Sequence, residues 1–449
     1  MQKNNLLKKY DVPVPRYTSY PTVPYWNDTP SENVWISHLN QTLSHDETTW
    51  SMYLHIPYCE SLCTFCGCNT IITKNHQLEN SYVELILKEW AIYKLKCPDL
   101  LKKPLRHIHL GGGTPTFLSA VMLEKLLAPL FSDIIQDKDF EASIEVDPRK
   151  TNFEQLDVLK KLGFNRISMG VQDFNPEVQR LINRIQPFEI TKNLTDYARK
   201  INYQSVNFDL IYGLARQTAE SFTETIIKTL ELKPDRIALY SFALVPWIKP
   251  AQRLFKDEDL PAGDDKRLLY ELARELLLKN DYIEIGMDHF ALPTENLSKS
   301  LKNKNLHRNF MGYTDQKTDI LLGLGLSSIS ETPLSFHQNE KVYSLYENLI
   351  NKNELATHRG HVLTAVDKIR RQQILQLMTQ YYVTFESADQ KDQAQLFLQE
   401  MLTDELIQIK DHQMFVLDKG KPFLRNICSF FDERLKIHKP DTKIFSQSI

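Results

Sequence analysis

No uninterrupted apolar run in this 449-residue chain approaches the roughly 20 residues a helix needs to cross a bilayer. The start, Met-Gln-Lys-Asn-Asn-Leu-Leu-Lys-Lys, has no apolar stretch of signal-peptide length. An excess of one charge is missing too: 54 Lys and Arg face 57 Asp and Glu. That balance argues against a general polyanion binder and leaves room only for a local basic pocket. Nothing suggests disorder, since 42% hydrophobic and 25% charged residues are an ordinary folded composition. The length suits one large α/β domain and a smaller one. Cysteine is scarce, with six residues, yet Cys59, Cys63, Cys66 and Cys68 stand within one ten-residue segment. Thiols so exposed to oxidation require a reducing compartment, so a cytoplasmic location is expected, with Cys97 and Cys428 as free thiols.

Structural cysteines behave as small hydrophobes and have no reason to cluster, so C-x3-C-x2-C-x-C reads as a site for a soft ligand, iron or zinc. Cys59, Cys63 and Cys66 can hold three corners of a [4Fe–4S] cube and leave the fourth iron open. Only Gly67 separates Cys68 from Cys66, an awkward reach for a further corner, so three ligands and an open iron are the reading taken. A four-thiolate zinc site normally draws pairs of ligands from separate knuckles. It remains an alternative, as does a disulfide framework.

From residue 51 to about 284, short β-rich runs alternate with amphipathic helical ones. Strands are predicted to begin near Met52, His107, Ala142, Asn165, Ser205, Arg236 and Tyr282. Tyr82, Leu85, Ile86, Trp90 and Tyr93 recur at helical spacing, and Ile226, Leu230 and Leu232 mark another apolar face. Such alternation implies parallel strands with crossover helices, in an open or partly closed barrel whose chemistry gathers at the strands' C-terminal ends. Tyr53 falls on the first strand and the cysteines on the loop after it. Gly111, Gly112, Gly113 and Thr114 follow the next strand, and Glu145 ends the third. Three glycines expose backbone amides to a ligand, although a tight turn needs the same residues.

The run Cys59-x3-Cys63-x-Phe65-Cys66 resembles the signature of the radical SAM enzymes. More of the chain, in order, resembles the oxygen-independent coproporphyrinogen III oxidase family within them. The matching segments are Pro15-Arg16-Tyr17-Thr18-Ser19-Tyr20-Pro21-Thr22, Gly67-Cys68-Asn69, Gly111-Gly112-Gly113-Thr114-Pro115-Thr116, Ser143-Ile144-Glu145-Val146-Asp147-Pro148-Arg149 and Met169-Gly170-Val171-Gln172-Asp173-Phe174. Asp209-Leu210-Ile211-Tyr212-Gly213-Leu214, Gly286-Met287-Asp288-His289-Phe290, His307-Arg308-Asn309-Phe310 and Arg425-Asn426-Ile427-Cys428 continue the likeness.

This resemblance implies an α/β fold: an incomplete (β/α)6 radical SAM barrel over residues 51–295, an N-terminal extension (1–50) capping its mouth, and a mainly helical C-terminal lid (296–449). It implies a [4Fe–4S] cluster on Cys59, Cys63 and Cys66, and two molecules of S-adenosylmethionine. Tyr53, Gly112, Glu145 and Ile329 match contacts to the cluster-bound molecule. Phe65, Gly113, Thr114, Gln172, Arg184, Asp209 and Ala243 match contacts to the second. Arg184 and Asp209 would pair with the carboxylate and ammonium of a methionine moiety. On pattern alone they are a surface ion pair, and Ile329 is a packing residue. Tyr53 and His55 are the catalytic candidates, and a histidine at 55 would equally fix its loop by a hydrogen bond. Arg16 and Tyr17 either reach substrate propionates or cap the barrel mouth.

The implied reaction is an oxidoreductase's: loss of CO2 and a hydrogen from two propionates of coproporphyrinogen III, giving protoporphyrinogen IX, started by a 5′-deoxyadenosyl radical from S-adenosylmethionine. An electron donor and an acceptor, both unidentified, are implied partners, and a monomer is expected. A methyltransferase or haem-degrading relative acting on a tetrapyrrole is one alternative, and a haem chaperone another. Two residues depart from the family pattern: Leu244 stands where a histidine is usual, and Ala215 replaces a proline. After a polar stretch at 296–318, a helical region is expected up to residue 406, with a hairpin at 403–417. Helices with a β-wing resemble a DNA reader, but residues 390–406 carry one lysine against Asp392, Glu400, Asp404 and Glu405, a face that repels phosphate.

Overall fold

A computed structural model describes residues 6, 8–261, 263–437 and 445. Most of residues 1–7 and of 438–449, which the expected extension and lid included, lie outside the described residues. Among the described residues a twelve-stranded sheet organises the chain. Its strands are β1 (Trp50–Ile56), β2 (Leu105–Gly112), β3 (Gln136–Val146), β4 (Arg166–Gln172), β5 (Ser205–Tyr212), β6 (Arg236–Ser241), β7 (Ile283–Gly286), β8 (His289–Ala291), β9 (Ile320–Leu324), β10 (Ile329–Glu331), β11 (Ser335–Asn339) and β12 (Thr357–Val362). The spatial order is β12-β11-β10-β9-β1-β2-β3-β4-β5-β6-β8-β7. Strands β1 to β6 are parallel neighbours in sequence order, as a (β/α)6 half-open barrel requires. Seven starts were predicted, and the observed strands lie within a few residues of them except β3, which begins six residues earlier.

Side-chain alternation explains why these segments are strands. Met52, Leu54, Ile108, Leu110, Ala142, Ile144, Ile167, Met169, Val206 and Phe208 are buried in one apolar core with Tyr82, Ile86, Trp90 and Tyr93 of the helix Leu78–Lys96 and Ile226 of the helix Ala219–Leu232. The residues between them are polar: Ser51, Tyr53 and His55 on β1, His107 and His109 on β2, Ser143 and Glu145 on β3, Ser168 on β4, Asn207 and Asp209 on β5. They line the concave side and bond to one another, as in His109 Nδ1 to Ser143 Oγ (2.7 Å) and Asn207 Nδ2 to Ser168 Oγ (2.6 Å). A period of two with one polar and one apolar face is what a barrel enclosing a polar site needs. At the N-terminal end of the strands, Arg166 pairs with Glu141 (2.7 Å) and Glu295 (3.0 Å), and Arg236 with Asp315 (3.3 Å), closing that end with buried charge.

Residues 320–339 and 357–362 differ from the expected helix, which is found between them at Tyr343–Asn351. They form β9 to β12, with β9 parallel to β1 and β10 to β12 antiparallel beyond it, so this part of the presumed lid extends the barrel sheet. Ile320–Leu324 is a short apolar run buried throughout, a length that suits a strand and not a helix. Ser335–Asn339 is also fully buried despite its polar residues. Part of its polarity is met across the fold: Asn339 Nδ2 donates to Glu89 at 2.6 Å, and Glu89 also accepts from Gly325 N (2.8 Å) and Tyr346 OH (2.7 Å), while His337 Nδ1 and Asn339 Oδ1 have no partner among the described residues. No local pattern announces such a strand.

Beyond it the chain is mainly helical, with a small sheet of β13 (Tyr382–Thr384), β14 (Ile407–Lys410) and β15 (Gln413–Val416) that includes the predicted hairpin. Leu6, Tyr10, Tyr17 and Tyr20 are buried in the same cluster as Ile374, Leu377, Val383, Leu406 and Phe431. The start of the chain is therefore woven into the C-terminal lobe, while Trp35, Leu39 and Leu43 of the helix Glu32–Leu43 join the barrel core.

Candidate active site

The loop after β1 is pinned at several points. Tyr58 and Cys59 pair with Ile71 and Ile72, Thr64 N donates to Ile182 O (3.1 Å), and Asn183 Nδ2 donates to Leu62 O (2.8 Å). Lys249 Nζ donates to Cys68 O (2.8 Å), and Cys66 N to Cys63 O (3.1 Å). Cys63 is buried, Cys59 and Cys66 are half-buried and Cys68 is exposed; all six cysteines are free thiols. Cys59, Cys63, Cys66 and Cys68 line one pocket with Phe65, Gly112, Gly113, Thr114, Glu145, Gln172, Arg184 and Asp209. The pocket opens at the C-terminal ends of β1 to β5. Among the described residues, no three His, Cys, Asp or Glu side chains surround a point as ligands of one ion would.

The glycine run is required by close packing. A Cβ on Gly111 would meet the Tyr53 ring and the Glu145 carboxyl at 3.0–3.1 Å. On Gly112, whose φ is +120°, it would strike Ile56 O at 2.8 Å, and on Gly113 it would strike the carbonyls of Pro57 and Tyr58 at 2.8 Å. The backbone of β2 can therefore press against the start of the cysteine loop and form the floor of the pocket.

Charge is concentrated around Cys63. Arg149 Nη2 and Arg184 Nη1 each lie 3.7 Å from its sulfur, and both arginines bond to Asp147, at 2.7 and 3.1 Å. Burial opposes ionisation of Asp147, but Arg184 and Arg149 outweigh it and hold the carboxyl below its usual value. Arg184 Nη2 also donates to Gly170 O (2.6 Å), while its buried Nε has no partner. Arg184 and Asp209 do not form the surface ion pair that pattern alone suggests. Asp209 accepts from Ser168 Oγ (3.1 Å) and Asn207 Nδ2 (3.0 Å). Burial and the charge of Glu145 push Asp209 up to about 7. Burial works against Glu145 as well, but a hydrogen bond from His109 Nε2 (3.3 Å) leaves it below its ordinary value. Glu145 and Asp209, in one pocket, thus differ in proton affinity. Gln172, at the end of β4, is held at φ +68° and lines the same space.

Six expected residues lie outside that lining. Tyr53 is packed against His109 and bonded through its hydroxyl to His55 Nδ1 at 3.1 Å. His55 Nε2 faces Asn69 O at 3.0 Å and must donate to it, so Nδ1 accepts from Tyr53. Both ring nitrogens are therefore engaged, Nδ1 within β1 and Nε2 in tying β1 to the end of the cysteine loop. Ala243 follows β6 beside Leu244, which packs on the apolar cluster of Val178, Ile182, Ile211, Leu214 and Phe242. Ile329 is buried with Trp26, Phe336 and Leu363. Arg16 pairs with Asp288, and Tyr17 donates to Asp432 at 3.2 Å. Asp147, Arg149, His109 and Ser168 were given no role in the sequence. The available signal was the polar member of each period-two strand and the Asp-Pro-Arg that follows β3.

Residues 53–228 match the family described as the radical SAM superfamily. The oxygen-independent coproporphyrinogen III oxidase of Salmonella typhimurium is 38% identical over 441 residues, covering 96% of this chain and 95% of that one. This chain belongs to the oxygen-independent coproporphyrinogen III oxidase family. The relative from Synechocystis is 35% identical over 457 residues, covering 99% and 97%. The solved structure of coproporphyrinogen III oxidase from Escherichia coli, described as a radical SAM enzyme, matches with a TM-score of 0.89 at 38% identity, covering 94% of this chain and 98% of that one. As a radical SAM oxidoreductase of this family, the chain uses an iron–sulfur cluster and S-adenosylmethionine. The donor set fits such a cluster: Cys59, Cys63, Cys66 and Cys68 share one pocket rim, two guanidiniums stand ready to balance thiolate charge, and the unpartnered Arg184 Nε lies beside it. No helix is long and apolar enough to cross a membrane among the described residues.

Proposed function

We propose that this oxidase converts coproporphyrinogen III to protoporphyrinogen IX without oxygen, each of two propionates losing one hydrogen atom, CO2 and one electron to become a vinyl group. The supporting observation is the 38% identity to coproporphyrinogen III oxidases along 96% of the chain. We propose two molecules of S-adenosylmethionine. One sits by Gly112 and Glu145, and the other by Phe65, Gly113, Thr114, Gln172, Arg184, Asp209 and Ala243. When bound, the [4Fe–4S] cluster and S-adenosylmethionine supply the one-electron chemistry that begins hydrogen removal.

The chain's own residues then have distinct tasks. Cys59, Cys63 and Cys66 hold the iron, and Arg149 and Arg184, aligned by Asp147, balance the thiolates. Glu145, ionised and free to accept, takes hydroxyl hydrogen bonds, and Asp209 can donate or accept near neutral pH. His55, oriented by the Tyr53 hydroxyl, positions the cysteine loop through Asn69 O. The charged plug of Arg166, Arg236, Glu141, Glu295 and Asp315 keeps water from entering at the N-terminal ends of the strands. The electron donor and the acceptor for the released electron are external partners, and the reading places a monomer in the cytoplasm.

The test is anaerobic reconstitution followed by product analysis. Vinyl groups with CO2 are expected. Methylated or ring-opened tetrapyrrole would instead show a methyltransferase or haem-degrading enzyme, and stoichiometric haem binding without turnover a chaperone.

A further inference from the structure

Three arginines lie where the short hairpin of His307–Asn309 and Gly312–Thr314 meets the barrel mouth and the C-terminal lobe: Arg16, Arg308 and Arg371. Arg16 is neutralised by Asp288 and Arg371 by Glu331. Arg308 has no such partner among the described residues. It is 8% exposed, and its Nε and Nη1 make no hydrogen bond. Its guanidinium lies 4.5 Å from the centre of the Tyr313 ring, which is fixed by a hydrogen bond from its hydroxyl to Met378 O (2.8 Å). A π-face compensates a buried cation only in part, and buried charges are otherwise paired or ligand-bound.

The surroundings indicate what completes the pairing. A cleft bounded by Tyr17, Ser19, His307, Arg308 and the ion pair of Arg371 with Glu331 encloses about 30 Å³, room for the end of one carboxylate arm but not for a ring. A row of rings connects it with the reaction pocket. Tyr313 packs edge-on against His289 at 5.4 Å, and His289 against Tyr240 at 5.9 Å. Tyr240 lies on β6 within the field of Asp209. Burial holds His289 neutral, so it does not compete with Arg308 for an anion. The row runs from the reaction pocket to Arg308, with the Arg16 guanidinium 5.8 Å from the centre of the Tyr240 ring at its inner end.

We infer that Arg308 is a carboxylate-binding residue for the tetrapyrrole, its planar fork gripping a propionate that is not reacting. This rests on the substrate class proposed above. It reassigns the propionate contact from Arg16, already neutralised, to Arg308.

Binding to the anaerobically reconstituted chain is measured with coproporphyrin III, by quenching of its fluorescence, and with its tetramethyl ester in the same mild detergent. Arg308→Gln is expected to weaken coproporphyrin III about ten-fold or more and to leave the ester within about two-fold. Arg308→Lys, keeping the charge without the fork, should fall between native and Arg308→Gln. Unchanged coproporphyrin III affinity in Arg308→Gln overturns the inference, as does equal loss of both ligands in Arg308→Gln and Arg308→Lys. A third overturning result is an Arg308-dependent rise in melting temperature with acetate or phosphate while porphyrin binding ignores the substitution, since Arg308 would then be a small-anion site. Native protein that turns over the substrate while Arg308→Gln binds it normally refutes only Arg308's role. Native protein that neither binds coproporphyrin III nor forms vinyl product refutes the proposed function itself.

Discussion

Arg184 donates to the Asp147 carboxylate at 3.1 Å and reaches the Cys63 sulfur at 3.7 Å, so it is held against the cysteine loop and not against Asp209. Arg149 binds the same carboxylate. Removing Arg184 would therefore leave Asp147 with a partner and the loop in place. Arg184→Ala is expected to retain iron while product formation falls by one to two orders of magnitude, the roughly 1.5–3 kcal/mol of a lost charge-assisted contact. Iron content and single-turnover product yield check it; unchanged yield and S-adenosylmethionine stoichiometry would remove the second molecule from the scheme.

The three ligand thiols should be separable from the fourth by iron analysis. Alanine at Cys59, Cys63 or Cys66 is expected to abolish the brown colour and bound iron of the reconstituted protein, about four atoms per chain for an intact [4Fe–4S] cluster. Cys68→Ala should keep both, because Cys68 is exposed and its carbonyl is already held by Lys249. Iron loss in Cys68→Ala would reverse the ligand assignment.

Asp209 gives a pH signature. Its proton affinity is raised to about 7 in the folded chain, so between its ordinary value and 7 the folded state keeps a proton that the unfolded state has lost. Its contribution to stability accordingly falls as pH rises through that window and is level above it. Asp209→Asn cannot ionise, so relative to the native chain it should gain stability from pH 5 to pH 8. Urea midpoints at the two pH values measure this, and an identical offset at both would mean Asp209 ionises normally.

Leu244 faces an apolar cluster of Val178, Ile182, Ile211, Leu214 and Phe242, which suits a leucine and gives a histidine no polar partner there. Leu244→His is expected to change turnover by less than about ten-fold, roughly 1.4 kcal/mol in the barrier. If the native, cluster-replete protein is inactive and Leu244→His restores vinyl formation, the chain is a diverged relative with a different product.

Local pattern made much of the barrel legible. Strands β1 to β6, the helix carrying Tyr82 and Trp90, and the hairpin at Ile407–Val416 all follow from short-range periodicity. So did the cluster loop, because four cysteines in ten residues need no tertiary context to stand out. The strands β9 to β12 were not legible. Ser335–Asn339 is buried although polar, with Asn339 donating to Glu89 and His337 hydrogen-bonded to Thr357, partners that no local pattern reveals. The route of the N-terminal segment into the C-terminal lobe was likewise hidden, since Tyr10 and Tyr17 find Asp404 and Asp432 hundreds of residues away.

By itself the sequence determined the thiol spacing, the alternation of strand and helix, and the glycines that let β2 press against the cysteine loop. Those properties depend on covalent order and on backbone freedom within a few residues. Only the tertiary structure decided which charges meet: Arg184 with Asp147, Arg16 with Asp288, and Arg308 with no carboxylate among the described residues. Electrostatic pairing is a property of distance and burial in space, and a list of charged residues along a chain contains neither.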